Sequence, residues 1–155
     1  MRIRLIKFIL LSATIFISLA CKCGWNGNFL RVGPYEDLVV KCRVIGFSKI
    51  HSDMDEKMTI EIQHVFKGKE KRRKIEVIGD DGMSCRPYIS TFKKGEIYYL
   101  AINKTNEFFE ISVCGEYWLH VVDRKIKMKK NEEEPEPNEM TELEFEKLLI
   151  KEIKK

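Results

Sequence analysis

The residues best equipped for chemistry in this 155-residue chain are five cysteines, Cys21, Cys23, Cys42, Cys85 and Cys114. The tight pair Cys21-Lys22-Cys23 stands at one end of the series. Its two thiols are read as seeking distant partners rather than each other, and Cys85 and Cys114 are available. Two bridges there would pin this short segment to the body of the protein as a rigid, exposed edge. Counting alone does not choose among the pairings. Cys42 has no obvious histidine partner, which argues against a thiol nucleophile. His51, His64 and His120 show no metal-ligand spacing and no HExxH pattern. No catalytic constellation emerges, and the chain is read as a non-enzyme that needs no cofactor.

Disulfide chemistry requires an oxidising compartment, and the first twenty residues supply the address. Arg2, Arg4 and Lys7 form a basic start, Phe8 to Leu19 is predominantly apolar, and Ser18-Leu19-Ala20 places small residues where a signal peptidase cuts. The apolar run is too short to span a bilayer comfortably, and no later run approaches it. Residues 1–20 are thus expected to be a cleaved signal peptide, with Cys21 as the new N-terminus. Cleavage there also suits a lipoprotein, with a lipid anchor on Cys21. A lipobox wants Leu at −3, whereas Leu19 stands at −2, so the soluble form is preferred. The expected location is secreted or extracytoplasmic (periplasm or cell surface in a bacterium). Oxidising export favours two disulfides and one free thiol.

Charge narrows the partners. Removing Arg2, Arg4 and Lys7 from the 28 basic residues leaves 25 against 24 acidic ones, so no electrostatic case for nucleic acid exists. The run Lys67, Lys69, Lys71, Arg72, Arg73, Lys74 could hold a polyanion such as an acidic polysaccharide, but reads first as a solvated hairpin turn. Asn103-Lys104-Thr105 is a glycosylation sequon, meaningful in a eukaryotic cell.

The elements that must position the cysteines are strands. Gly24 to Tyr35 reads as an irregular loop. In Asp37–Gly46 the residues Leu38, Val40, Cys42 and Val44 share one face while Lys41 and Arg43 take the other, so Cys42 falls inside as a small hydrophobe. Met58–Phe66 alternates likewise, and Ile75–Ile78, Ile97–Ile102 and Phe108–Val113 complete five strands. With no helical pattern between them, they predict a mainly β fold, a five-stranded antiparallel barrel over about Glu36 to Val113. Its expected core is Leu38, Val40, Cys42, Val44, Ile60, Ile62, Val77 and Leu100 or Tyr99. Tyr88, Tyr98, Tyr99, Phe108 and Phe109 read as core and rim rather than base-stacking platforms. Trp118–Val122 either extends the last strand or crosses the barrel. Residues 123–140, rich in charge, Glu and Pro, read as a linker. Thr141 and Glu144 form a capping box opening an amphipathic helix over 141–155, with Leu143, Phe145, Leu148, Leu149 and Ile153 on its apolar stripe.

The ordered set of features resembles the netrin-like domain, and within it the N-terminal domain of the tissue inhibitors of metalloproteinases. The set comprises Cys21-x-Cys23, Asp37-Leu38-Val39-Val40, Val65-Phe66-Lys67-Gly68, Cys85 in a loop, and Cys114 followed by Trp118. The likeness runs from Cys21 to about Trp118, and the domain is drawn over 21–122. It implies an OB-type barrel with Cys21 bonded to Cys85 and Cys23 to Cys114. It also implies that the α-amine and carbonyl of Cys21 grip the zinc of a secreted zinc metalloprotease, the one metal in this reading, while Lys22 enters the pocket beside it. The inhibitory edge would be Cys21, Lys22 and Cys23. The chain departs from the animal inhibitors in lacking a third disulfide and the second domain, and in carrying a charged Lys22. The other reading is a non-enzymatic extracellular or envelope-associated binding domain without inhibitory activity.

Overall fold

The computed structural model describes residues 23–49, 56–81, 84–105, 108–129 and 138–155. Among these residues eight strands form one sheet: β1 (Leu38–Lys49), β2 (Glu56–Lys67), β3 (Lys74–Ile78), β4 (Ile97–Lys104), β5 (Phe109–Glu110), β6 (Trp118–Val122), β7 (Lys125–Met128) and β8 (Asn138–Thr141). The described helices are α1 (Phe29–Val32) and α2 (Glu142–Ile153), with single 3₁₀ turns at Gly33–Tyr35 and Ile89–Thr91.

The strand order β1-β2-β3-β5-β4 closes on itself because β1 also pairs with β4, from Leu38 opposite Ile102 to Arg43 opposite Ile97. The result is a closed five-stranded barrel of OB type with a helix at its C-terminal end. The expectation that it is wholly antiparallel needs one correction. β3 and β5 run parallel, with Val77 beside Phe109. A closed ring with an odd number of strands cannot alternate direction all the way round, so one parallel seam is unavoidable.

A barrel this small requires sharply coiled strands. β1 supplies the bend through register shifts at Val39/Val40, Lys41/Cys42 and Val44/Gly46. At the far end of β2, Gly68 adopts φ +91°, and a Cβ there would lie 2.4 Å from the Asp37 carbonyl oxygen. Only glycine allows the chain to turn this close to the start of β1.

The core contains Leu38, Val40, Cys42, Val44, Ile60 and Val77 as expected, and both Tyr99 and Leu100. Ile62 is half-buried and packs on the rim instead. The fifth strand is only two residues long, against the six expected, because Ile111 to Cys114 leaves the barrel to meet the N-terminal segment. Trp118–Val122 takes up the last strand again on the edge of β4 that β5 begins, pairing antiparallel with Tyr99 opposite Leu119, while β1 holds the other edge.

The expected linker over 123–140 contains two strands at its ends. β6 turns into β7 through Asp123 and Arg124, whose φ angles of 50° and 60° give the tight two-residue hairpin that matches strand twist. β7 buries Ile126 and Met128 while Lys125 and Lys127 face out, and β8 pairs with it from Lys125–Thr141 to Met128–Asn138.

Thr141 caps α2 with the expected reciprocal pair. Its hydroxyl accepts from the Glu144 N–H at 3.3 Å and the Glu144 carboxylate accepts from the Thr141 N–H at 2.9 Å. The buried stripe is narrower than expected. Phe145 and Leu149 are fully buried and Ile153 partly so, whereas Leu143 and Leu148 are exposed. The reason is a polar seam along the flank of the stripe. Lys41 Nζ lies 2.6 Å from Glu142 and 3.8 Å from Glu146, and the Tyr99 hydroxyl lies 2.6 Å from Glu146. Burial and the two glutamates push the Tyr99 hydroxyl strongly upward in pKa, so it remains a donor. Phe145 meets Phe29 and Tyr99 edge-on, with ring centroids 5.6 and 4.8 Å apart. The C-terminal helix therefore clamps α1 against the barrel.

Candidate functional site

The segment that leads back toward Cys21 begins, among the described residues, at Cys23. Cys23 is bonded to Cys114, with Cα atoms 5.5 Å apart and a sequence separation of 91. The Cys85 sulfur sits beside this bridge, all three sulfurs lying within 4.8 Å of one another. Because two of them are joined covalently, the trio does not offer three thiolates to a metal. Cys21 and Lys22 lie outside the described residues, and with them the expected Cys21–Cys85 bond and the two foremost positions of the edge.

Backbone hydrogen bonds knit the segment into its surroundings. The Asn26 N–H donates to the Cys114 carbonyl at 2.7 Å, the Glu116 N–H to Gly27 at 2.9 Å, and the Val113 N–H to Cys85 at 3.0 Å. Three stretches far apart in sequence (23–27, 85 and 113–116) are thus held side by side. Gly115 permits the approach, since a Cβ there would stand 3.0 Å from the Gly27 carbonyl oxygen.

Glu116 braces the arrangement from below. Its carboxylate accepts from the Phe29 N–H at 3.3 Å and from the Lys129 N–H at 3.0 Å, joining the start of α1 to the end of β7. Burial raises its pKa, and these two donors pull in the opposite direction. Asn26 donates to the Tyr117 hydroxyl at 3.2 Å, and Lys129 Nζ lies 5.4 Å from the Trp25 ring centre. None of Trp25, Asn26, Glu116 or Lys129 stood out in the sequence. Asn26-Gly27 is a turn signal, but the carboxylate at 116 acquires its role only from neighbours distant in the chain.

Beside Cys85 opens a cleft of about 500 Å³, lined by Glu36, Arg86, Glu110, Ser112 and Tyr117 among others. Arg86 is largely buried. It pairs with Asp81 at 2.6 Å and Glu110 at 3.6 Å, and its guanidinium lies over Phe108 at 5.9 Å. Its Nε is buried with no partner among the described residues. Glu36 has a raised pKa, first through burial and then through Asp37 and Glu110. The cleft next to the bridge is therefore acidic, with one braced guanidinium in it.

The other residues weighed from the sequence lie elsewhere. Cys42 is free and buried, and burial raises its thiol far above the ordinary range, which suits packing rather than nucleophilic attack. His120 stacks on Tyr98 and meets Glu96 at 3.2 Å, His64 packs against Phe66, and His51 is outside the described residues. Tyr98, Tyr99 and Phe109 are buried, Phe108 is half-buried, and Tyr88 is 67 % exposed. Among the described residues no helix is long and apolar enough to cross a membrane. No family model matches the chain, and no curated protein matches it in sequence.

Proposed function

We propose that this protein is an exported inhibitor of zinc metalloendopeptidases, acting through the Cys21 α-amine and carbonyl with residues 1–20 removed. The observation that carries this reading is the anchorage of Cys23. A residue two positions from the proposed chelate is bonded to Cys114, lies beside Cys85, and is followed by a segment hydrogen-bonded to residues 114–116. An amine with a pKa of ~8 is partly neutral at pH 7 and able to ligate a metal. Amine and carbonyl of one residue close a five-membered chelate that replaces the water on a catalytic zinc. Holding that chelate rigid beforehand lowers the entropic cost of binding.

Lys22 sets the target class. An unpaired ammonium in an apolar pocket costs roughly several kcal/mol, so the proteases inhibited are those whose pocket offers a carboxylate or opens to solvent. The test compares three proteins on a panel of zinc endopeptidases. The native chain, with Cys21 confirmed by mass spectrometry as a free N-terminus, should inhibit at least one. One extra Ala before Cys21 displaces the amine and should abolish inhibition with the disulfides intact. Lys22→Thr should move potency toward enzymes with apolar pockets. Unchanged potency in the Ala-extended protein, inhibition by none, or a lipidated Cys21 overturns the zinc-chelate reading and leaves a non-enzymatic binding domain.

A further inference from the structure

The basic run between β2 and β3 becomes more than a turn once the barrel closes. Lys69, Lys71 and Lys74 are exposed, and none has a carboxylate partner among the described residues. Arg73 is 79 % exposed at its side chain and pairs with Glu61 at 3.2 Å. The parallel β3–β5 seam adds two elements that no local reading supplies. Phe109 of β5 is brought against this hairpin, and Lys104 of β4 comes with it. The Arg72 guanidinium lies 5.2 Å from the Phe109 ring centre and Lys104 Nζ 5.8 Å from it. The Glu70 carboxylate holds Arg72 in place by accepting three hydrogen bonds, from its backbone N–H and Nε at 2.9 Å and from Nη2 at 2.8 Å. A cleft of about 270 Å³ runs alongside, lined by Arg72 and Lys74, with Lys57 and Glu76, paired with each other at 3.0 Å, farther along.

We infer that this face binds a linear acidic polysaccharide carrying sulfate or carboxylate groups. Two of its cations are already braced on an aromatic ring, and three more, Lys69, Lys71 and Lys74, have no carboxylate partner among the described residues, so anionic groups along a flexible chain meet positive charge there without breaking an ion pair of these three. Single-stranded nucleic acid is the less favoured polyanion here. OB barrels hold it by stacking bases on exposed rings, whereas Phe109 is 6 % exposed and Tyr98 and Tyr99 are buried. The inference rests on charge and topology alone and does not depend on the zinc-chelate reading. The residues it uses are not those lining the cleft beside Cys85.

The test is calorimetric titration of the full protein with a size-fractionated heparin oligosaccharide, oligo(dT), and phosphatidylserine-containing vesicles. Heparin should bind most tightly, with affinity falling as salt rises because counterions are released. The triple variant Lys69→Ala, Lys71→Ala, Lys74→Ala should lose at least about tenfold in heparin affinity, one released cation per contact removed. A control triple, Lys94→Ala, Lys147→Ala, Lys151→Ala, has the same change in net charge at other exposed lysines and should change affinity less than about threefold. Equal losses in both triples mean diffuse attraction and overturn the site. Tighter binding of oligo(dT) or of the vesicles overturns it in favour of nucleic acid or a membrane surface, and no binding of heparin overturns it outright.

Discussion

At the scale of single residues, Cys42 and Glu70 illustrate opposite uses of environment. Cys42 sits between Ile62 and Tyr98 in the pairing of β1, fully buried, with its thiol driven toward the neutral form. A thiol reagent should leave it unmodified in the native protein and label it only on unfolding. Cys42→Ser places an unpartnered hydroxyl in that space and should lower stability by about 1–3 kcal/mol, read from denaturant midpoints. Glu70 shows the reverse effect. Hydrogen bonds from Arg72 hold its pKa down at about 2, against an ordinary 4.5. A depressed acid favours the folded state above its unfolded pKa, and that contribution fades as pH falls from about 4.5 toward about 2. Carboxyl-resonance NMR should find Glu70 ionised well below the ordinary glutamate value of 4.5, and Arg72→Ala should return it toward that value. A Glu70 that titrates at the ordinary value in the native protein contradicts the clamp.

At the scale of elements, α2 carries a sharp contrast between neighbouring apolar residues. Phe145 is enclosed by Phe29 and Tyr99, whereas Leu148 is 41 % exposed. Phe145→Ala should cost about 3–5 kcal/mol, and Leu148→Ala within about 0.5 kcal/mol. Equal effects from the two would mean that the helix docks in another rotation. Because Phe145 touches α1, the first variant should also loosen the segment after Cys23, visible as faster hydrogen exchange at Phe29 and Val32. The helix was legible from its capping box and period. Which side of it faced the barrel depended on Lys41 and Tyr99, two residues on separate strands whose meeting with Glu142 and Glu146 no periodicity encodes.

At the scale of the whole molecule, the Cys23–Cys114 bond ties the N-terminal segment to the exit from the barrel across a sequence separation of 91. Chain-entropy reasoning gives such a closure roughly 4–5 kcal/mol as an upper value. Cys23→Ala with Cys114→Ala should lower the denaturation midpoint accordingly while leaving β-sheet circular dichroism intact under native conditions. A double variant as stable as the parent would mean that the backbone hydrogen bonds alone fix the segment.

The alternation of Asp37–Gly46 and Met58–Phe66, the buried place of Cys42 and the capping box of α2 were all determined by the sequence itself. Each rests on interactions within a few residues, where side-chain period and backbone sterics suffice. The same alternation in Lys125-Ile126-Lys127-Met128 was open to the same reading, yet the surrounding charge masked it. The parallel β3–β5 seam, the bracing by Glu116, the acidic cleft beside Cys85 and the pairing of Arg72 with Phe109 were decided only by the tertiary structure. They join residues dozens of positions apart, and their geometry follows from closing an odd-stranded ring, a constraint that no single stretch of the chain contains.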